Sequence, residues 1–160
     1  MKAAAHPYGN ATRYFQVLWS QVERDAGVSA QLLARRILAD VPPDVPDDVL
    51  PLCLAAGLRD LVRYVPERGQ VVASLPRLIE LGGGDCNDLA PALASMLIAC
   101  GWDPAFMLGW NRKPDFGWLG AHLWIVLPDG RELDASTYDL APGERPSSRY
   151  ERVTTHRRPE

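Results

Sequence analysis

The sequence has few cysteines and no excess of positive charge. It contains three cysteines in 160 residues, Cys53, Cys86 and Cys100, so a complete disulfide framework is excluded and at least one thiol is free. This usage is typical of a reducing compartment, and we expect a cytoplasmic protein. The formal net charge of −3 gives no reason to expect nucleic acid or an anionic membrane as a partner.

The chain also lacks a long hydrophobic run. The longest, residues 89–100, is too short to cross a bilayer and contains Pro91. The first 15 residues include a lysine but no apolar signal-peptide core, so we expect no signal peptide and no membrane association. No P-loop, HExxH or dinucleotide-binding fingerprint is present, and we expect no cofactor. The oligomeric state is left open.

The apolar residues that are present suffice for one core. Hydrophobic residues make up 47% of the chain and charged residues 23%, as in a globular fold. Helical spacing dominates residues 10–100, and strands are predicted within residues 104–136. We therefore expect a single α+β domain over residues 1–140. Residues 141–160 mix arginine, serine and proline and are predicted to be a mobile extension.

One stretch, LGGGDCNDLAPALASMLIACGW (residues 81–102), combines a reactive side chain with a helix start. The three glycines permit a tight turn, and Asp85 can then cap the helix, with Asp88 completing a capping box. Cys86 would occupy the first helical position, where free N–H groups and the helix dipole favour a thiolate and can hold an oxyanion. The alternative interpretation is a small buried cysteine that happens to follow a turn.

Pro91 leaves two positions open for the helix start. If Asp85 is the cap, Pro91 is the sixth helical residue, where it costs ~3 kcal/mol or kinks the helix. If Asp88 is the cap, Pro91 falls in the first turn, but Cys86 then precedes the helix and loses part of its dipole. Asp85 and Asp88 both disfavour a thiolate at Cys86, so activation has to come mainly from a histidine.

The second candidate group lies on a predicted hairpin. In LPDGR, residues 127–131, Pro-Asp-Gly is the chemistry of a type I turn followed by a left-handed glycine, which gives a three-residue loop with a bulge. Trp124 is then opposite Asp134, so His122 shares a face with Asp134 and lies within reach of it. A two-residue Asp-Gly turn would put His122 and Asp134 on opposite faces. The alternative for His122 is a half-buried histidine satisfied by the backbone. The core-facing residues would be Leu123, Ile125, Leu127, Leu133 and Ala135.

The motifs together resemble a known family. GGGDCNDLAPALASMLIACGW, then AHLWIVLPDGRELDAS, and the preceding RYVPERGQVVASLPRLIELG resemble the microbial transglutaminase-like branch of the papain-type cysteine enzymes, over roughly residues 61–136. The resemblance implies a transglutaminase-like, papain-like α+β fold, with N-terminal helices and the nucleophile's helix packed on a C-terminal antiparallel sheet. The family's usual second acidic position is Asn87 here, although Asp88 is kept.

The resemblance also implies a Cys-His-Asp triad. Cys86 would be the nucleophile, His122 the base and then the acid, and Asp134 the residue that orients the imidazole. Attack on an amide or ester carbonyl would give a thioester, which water or an amine resolves. The family often draws an oxyanion donor from upstream of the cysteine, and Gln70 is the candidate for this role.

The substrate is predicted to be a peptide or protein. Trp118 and Trp124 are candidates to line a groove, and Arg112 and Lys113 could receive an acidic group of the substrate. The loop that carries Arg112, Lys113 and Trp118 is polar and would admit water, so we expect hydrolysis rather than cross-linking.

Two other hypotheses stay open. A metal site from Asp85, Cys86, Asp88 and His122 is conceivable, although the set lacks paired His/Cys ligand spacing, and we expect no metal. The chain could also be a non-catalytic structural or assembly factor of phage or prophage type that uses the fold as a binding module.

Overall fold

Five α-helices occupy the first two thirds of the chain within the part that the structure describes. The structure is a computed structural model and describes residues 11–66, 72–111 and 121–160. The single-turn 3₁₀ helix Asp47–Val49 leads into the third helix, at the end of the proline-rich segment that interrupts the apolar spacing. The helices are α1 Ala11–Asp25, α2 Val28–Leu38, α3 Leu50–Leu61, α4 Leu75–Leu81 and α5 Cys86–Ala99.

Helix α5 is the centre of the core. Every residue from 88 to 97 is buried, and the helix packs against α1, α2, α3 and β4 (His122–Val126). A helix covered on all sides needs apolar residues all round rather than along one stripe, which explains the near-continuous apolar run after Cys86. The nucleophile candidate therefore begins a helix that is buried along most of its length.

Two sheets flank the helices within the residues that the structure describes. Strand β1 (Arg63–Tyr64) pairs in parallel with β2 (Gly83–Gly84). The larger sheet is antiparallel in the order β5-β4-β3-β6, with β3 Ala105–Trp110, β4 His122–Val126, β5 Glu132–Leu133 and β6 Arg152–His156. The expectation of an α+β fold with an antiparallel C-terminal sheet is confirmed, whereas β1, β2 and β6 were not predicted.

The hairpin register agrees with the sequence argument. Ile125 pairs with Leu133, and the Leu127 N–H donates to the Arg131 carbonyl at 2.8 Å. Gly130 has φ +88°, the left-handed conformation that closes a three-residue loop. The five residues predicted to face the core are all buried, so the three-residue loop is confirmed over the two-residue alternative.

The prediction of a mobile extension over residues 141–160 is wrong for most of this segment. Pro146–Arg149 forms a 3₁₀ turn, and Arg152–His156 pairs with β3 as the edge strand β6. Glu132, whose side chain is 1% exposed, accepts hydrogen bonds from Arg145 Nε at 2.7 Å and Ser147 Oγ at 2.8 Å. The polar composition of this segment suggested an exposed tail, but Arg145 and Ser147 bind a buried carboxylate.

Helix α1 also holds the last strand. The ring of Phe15 stacks on His156 with centroids 3.5 Å apart. This contact joins α1 to β6, so the first and the last of the described elements pack against each other. In residues 11–66, 72–111 and 121–160, no helix combines the length and the apolar character that crossing a bilayer demands.

Candidate cysteine–histidine–aspartate site

Cys86 is the first residue of α5, and Asp85 is the cap. The Asp85 carboxylate accepts from the Asn87 N–H at 2.9 Å, and Asp88 Oδ2 accepts from the Asp85 N–H at 3.1 Å, which completes the capping box. Pro91 therefore lies inside the helix, and the alternative start at Asp88 is excluded. The Cys86 N–H is one of the first-turn donors that the helix itself does not use.

The glycines before Cys86 bring the chain close to α4 and α5. Gly82 ends α4 with φ +65°, and Gly84 lies so close to its neighbours that a Cβ would be 2.6 Å from Leu78 and 2.8 Å from Asp88 Oδ2. No side chain fits at this distance. The turn therefore fixes the position of the Cys86 thiol, which is 9% exposed.

Asp88 also anchors the segment that leads to this turn. Its Oδ1 accepts from the Ala73 N–H at 2.8 Å, and its side chain is almost fully buried. A buried carboxylate is tolerated only where such donors surround it. Asn87 accepts a hydrogen bond from the hydroxyl of Tyr14 on α1.

His122 and Asp134 meet as a buried pair. His122 opens β4 and Asp134 follows β5, and His122 Nε2 lies 2.7 Å from Asp134 Oδ2. Their side chains are 12% and 1% exposed. Cys86 lies close enough to His122 to contribute to the pKa of its imidazole. Because Asp134 occupies Nε2, Nδ1 is the ring nitrogen left for the thiol. The structure thus brings Cys86, His122 and Asp134 together.

The Asp134 carboxylate is held from several sides. Ser136 donates to Oδ1 through its N–H at 2.9 Å and its hydroxyl at 2.8 Å, and Thr137 Oγ1 donates to Oδ2 at 2.6 Å. Ser136 is the last residue of the LDAS motif, but no role was predicted for it. Thr137 was missed, although hydroxyl residues just after an aspartate are the sequence signal for such a local network.

These contacts shift the proton equilibria of the pair in opposite directions. Burial disfavours the charged form of His122, but the hydrogen bond to Asp134 and the interaction with Cys86 outweigh it and raise the His122 pKa to about 10. Burial acts to raise the pKa of Asp134, but the hydrogen bond from His122 outweighs it and lowers that pKa. The site favours a protonated imidazole beside an ionised carboxylate.

Two tyrosines that the sequence did not single out flank the thiol. Tyr64 on β1 pairs with Gly84, and burial together with the charges of Cys86 and Asp85 raises its pKa to about 12. Tyr150 precedes β6, and burial and the nearby charges likewise raise its pKa to about 12. No local pattern signals either residue, because both approach Cys86 only through the tertiary fold.

The remaining predicted site residues have different outcomes. Gln70, Arg112, Lys113 and Trp118 lie outside the residues that the structure describes. Trp124, predicted to line the substrate groove, is 1% exposed, and its indole N–H donates to Glu132 Oε1 at 2.9 Å. It is therefore a buried support beside His122 and not a groove residue, because Tyr150 covers the face of the strand that was expected to be open.

The carboxylates near Cys86 are already engaged within the fold. Asp88 holds backbone N–H groups, as does Asp85, and Asp134 holds His122. Among the described residues, no group of three His, Cys, Asp or Glu side chains is arranged to hold a metal ion.

Comparison with known proteins adds evidence on the fold. No protein-family model matches the sequence, and no curated protein matches it. A crystal structure named "putative protease" from Parabacteroides distasonis ATCC 8503 is similar over 78% of this chain and 26% of that chain, with a TM-score of 0.57 and 13% identity. A "putative cysteine protease" from Cytophaga hutchinsonii is similar over 84% of this chain and 46% of that chain, with a TM-score of 0.52 and 17% identity.

These similarities concern the fold alone, because fold does not determine activity at such low identity. The chain spans about a quarter of the first structure and less than half of the second. It therefore has an α+β fold that also occurs in proteins named as proteases.

Proposed function

We propose that the chain is a cysteine-dependent hydrolase that cleaves an amide bond of a peptide-like substrate. Cys86 is the nucleophile, His122 the base and then the acid, and Asp134 the residue that orients the imidazole. The observation that carries this proposal is the position of His122, which is bonded to Asp134 through Nε2 and lies close enough to Cys86 for that thiol to act on the pKa of the imidazole. We place the chain in the transglutaminase-like branch of the papain-type enzymes.

The chemistry follows from these contacts. His122 takes the thiol proton, and Sγ of Cys86 attacks the carbonyl carbon of the amide. The oxyanion that forms lies at the start of α5, where the Cys86 N–H can donate to it. His122 then gives its proton to the leaving amine, and a thioester remains. Water, deprotonated by His122, attacks the thioester and releases a carboxylic acid and the free thiol.

The carboxylate of Asp134 serves this cycle without exchanging a proton. It fixes the proton of the neutral imidazole on Nε2, so that Nδ1 can accept the thiol proton. It then stabilises the imidazolium that results. The hydroxyls of Ser136 and Thr137 and the Ser136 N–H hold the carboxylate in place, which keeps the imidazole directed at Cys86.

A peptide cleavage assay tests the proposal. The protein is incubated with a panel of peptides and a fluorescent primary amine, and both kinds of product are followed by mass. We expect hydrolysis by the wild type and by the control Cys100→Ser, and none by Cys86→Ser. Amine incorporation that exceeds hydrolysis would identify an acyl transferase instead. Absence of turnover with every donor would contradict the enzyme assignment and support a binding module.

A further inference from the structure

The imidazole of His122 belongs to a cluster of three aromatic rings whose planes are nearly parallel. The ring of Tyr150 lies 6.0 Å from it, centroid to centroid, with the planes 17° apart, and the ring of Trp124 lies 5.8 Å away at 21°. Tyr150 and Trp124 stack on each other at 5.3 Å and 22°. Tyr150 comes from the C-terminal segment, so a residue distant in sequence from the motifs completes the surroundings of His122.

A glycine in the sheet leaves space for this cluster of rings. Gly109 on β3 pairs with His122 on one side and with Val153 on the other. A Cβ at Gly109 would be 2.7 Å from both Trp124 Cη2 and Tyr150 Cγ. Glycine weakens a strand interior, so its presence here corresponds to the space that the two rings need.

The backbone on both sides of Tyr150 is clamped by one side chain. Asn111 Nδ2 donates to the Arg149 carbonyl at 3.1 Å, and Asn111 Oδ1 accepts from the Glu151 N–H at 2.9 Å. Arg149 is fixed in turn by a hydrogen bond to Asp139 at 2.7 Å. The backbone that carries Tyr150 is therefore held by contacts that do not involve His122.

We propose that Tyr150 is a positioning residue of the active site, which holds the His122 imidazole toward Cys86 and stabilises its protonated form. This inference rests on the proposed function. An aromatic face within about 6 Å of a cation stabilises it by a factor of a few to about thirty in the protonation equilibrium. The raised pKa of Tyr150, about 12 through burial and the charges of Asp134 and Cys86, keeps its ring neutral at working pH.

The other titratable groups near the pair leave a clear window for a test. Asp134 faces His122 from the end of β5, Cys86 from the start of α5, and Tyr64 faces the thiol from β1. The pKa of Asp134 is lowered and that of Tyr64 is raised to about 12. Neither group titrates between about pH 6 and pH 9.5, so a change in reactivity there reports on the thiol and the imidazole.

The experiment measures the rate at which iodoacetamide alkylates Cys86, at about pH 6 and at about pH 9.5, by peptide mapping of the full chain. At the lower pH only a thiolate paired with His122 reacts, whereas at the higher pH any thiol ionises unaided. The variants are Tyr150→Leu, which removes the aromatic face, Tyr150→Phe, which keeps it, and the exposed control Arg152→Ala. Gly109→Ala, which displaces both rings, serves if Tyr150→Leu does not fold.

We expect Tyr150→Leu to slow alkylation roughly tenfold at the lower pH and much less at the higher one, because an imidazolium that is no longer held beside Cys86 stabilises the thiolate less. Tyr150→Phe and Arg152→Ala should stay within about twofold of the wild type, because the ring face and not the hydroxyl acts on His122. Equal slowing of Tyr150→Leu at both pH values, or no slowing, would overturn the inference. A wild type in which Cys86 is unreactive at the lower pH would overturn the proposed function itself.

Discussion

The carboxylate of Asp134 orients the imidazole in this account, so its loss should impair catalysis more than folding. Asp134→Asn keeps the size of the side chain, but its amide can donate to His122 Nε2 and favour the tautomer with the proton on Nδ1. That nitrogen then no longer accepts the thiol proton. We expect hydrolytic activity to fall by a factor on the order of 10²–10⁴, measured as initial rates of peptide cleavage.

The control for this variant is Asp103→Asn, the same change at an exposed carboxylate. It should keep full activity. If Asp134→Asn lowers the melting temperature strongly while the folded fraction cleaves at the wild-type rate, Asp134 is a structural residue and the triad assignment is wrong.

The buried pair also predicts how stability depends on pH. His122 has its pKa raised from 6.5 to about 10, so its contribution is complete below about pH 6.5 and is lost as the pH rises toward 10. Asp134 has its pKa lowered from 3.8, so its contribution is present above about pH 4 and is lost as the pH falls through the lowered value. The pair therefore stabilises the fold most between about pH 4 and pH 6.5.

Urea denaturation of the wild type and of Asp134→Asn across this range measures the effect. The difference in unfolding free energy should be largest near pH 5–6 and should shrink toward pH 10. A difference that does not change between pH 6.5 and pH 10 would mean that the pair is not linked to protonation.

At this scale Cys86, His122 and Asp134 were predictable as candidate site residues, because each belongs to a local pattern. A turn followed by a cap points to the cysteine, and a three-residue hairpin loop aligns the other two. Tyr64 and Tyr150 could not be found in this way, since parallel pairing with Gly84 and an edge strand after residue 150 bring them to the site.

At the scale of elements, the tight approach of β2 to α4 and α5 sets the position of the thiol. Gly84→Ala would force a methyl group to within 3 Å of Leu78 and Asp88. We expect it to lower the unfolding free energy by about 1–3 kcal/mol, measured by urea denaturation. Gly27→Ala is the matched control, because a Cβ there meets nothing within 4 Å, and it should change stability by less than about 0.5 kcal/mol. Equal effects of the two substitutions would show that the turn is not tightly packed.

The helices were the most predictable elements, because the spacing of apolar residues is a property of each segment alone. The sequence alone left the first residue of α5 open, and the structure was needed to locate it. Asp85 and Asp88 are both suitable N-cap residues. The cost of a proline inside a helix favours a start at Asp88, because Pro91 then lies in the first turn. Tertiary burial of the whole helix from residue 88 to 97 outweighs that cost, and the earlier start prevails.

For the whole molecule, the C-terminal segment is part of the domain and not an appendage. Deleting residues 141–160 would expose the edge of β3 and leave the buried Glu132 without Arg145 and Ser147. Removing the partners of a buried charge costs about 3–5 kcal/mol. We therefore expect the melting temperature to fall by about 10 °C or more, measured by circular dichroism.

Deleting only residues 157–160 is the control, since β6 ends at His156. This shorter deletion removes an exposed ion pair between Arg158 and Glu23 and should leave the melting temperature nearly unchanged. The composition of the tail concealed its role, because polar residues that bind a buried carboxylate resemble polar residues that face water. If the longer deletion melted at the wild-type temperature, the segment would be an independent extension after all.

The central claim is that Cys86 is activated by His122, and competition among the three thiols for iodoacetamide tests it most directly. Cys86 is buried, whereas Cys53 is half-buried and Cys100 is exposed. Accessibility alone would therefore favour Cys100, although partial burial raises the pKa of its thiol. Brief labelling of the folded wild type near pH 6.5, followed by peptide mapping, should show Cys86 modified first, and this preference should disappear in His122→Gln. Labelling of Cys100 first, with Cys86 unmodified until the protein unfolds, would contradict the account.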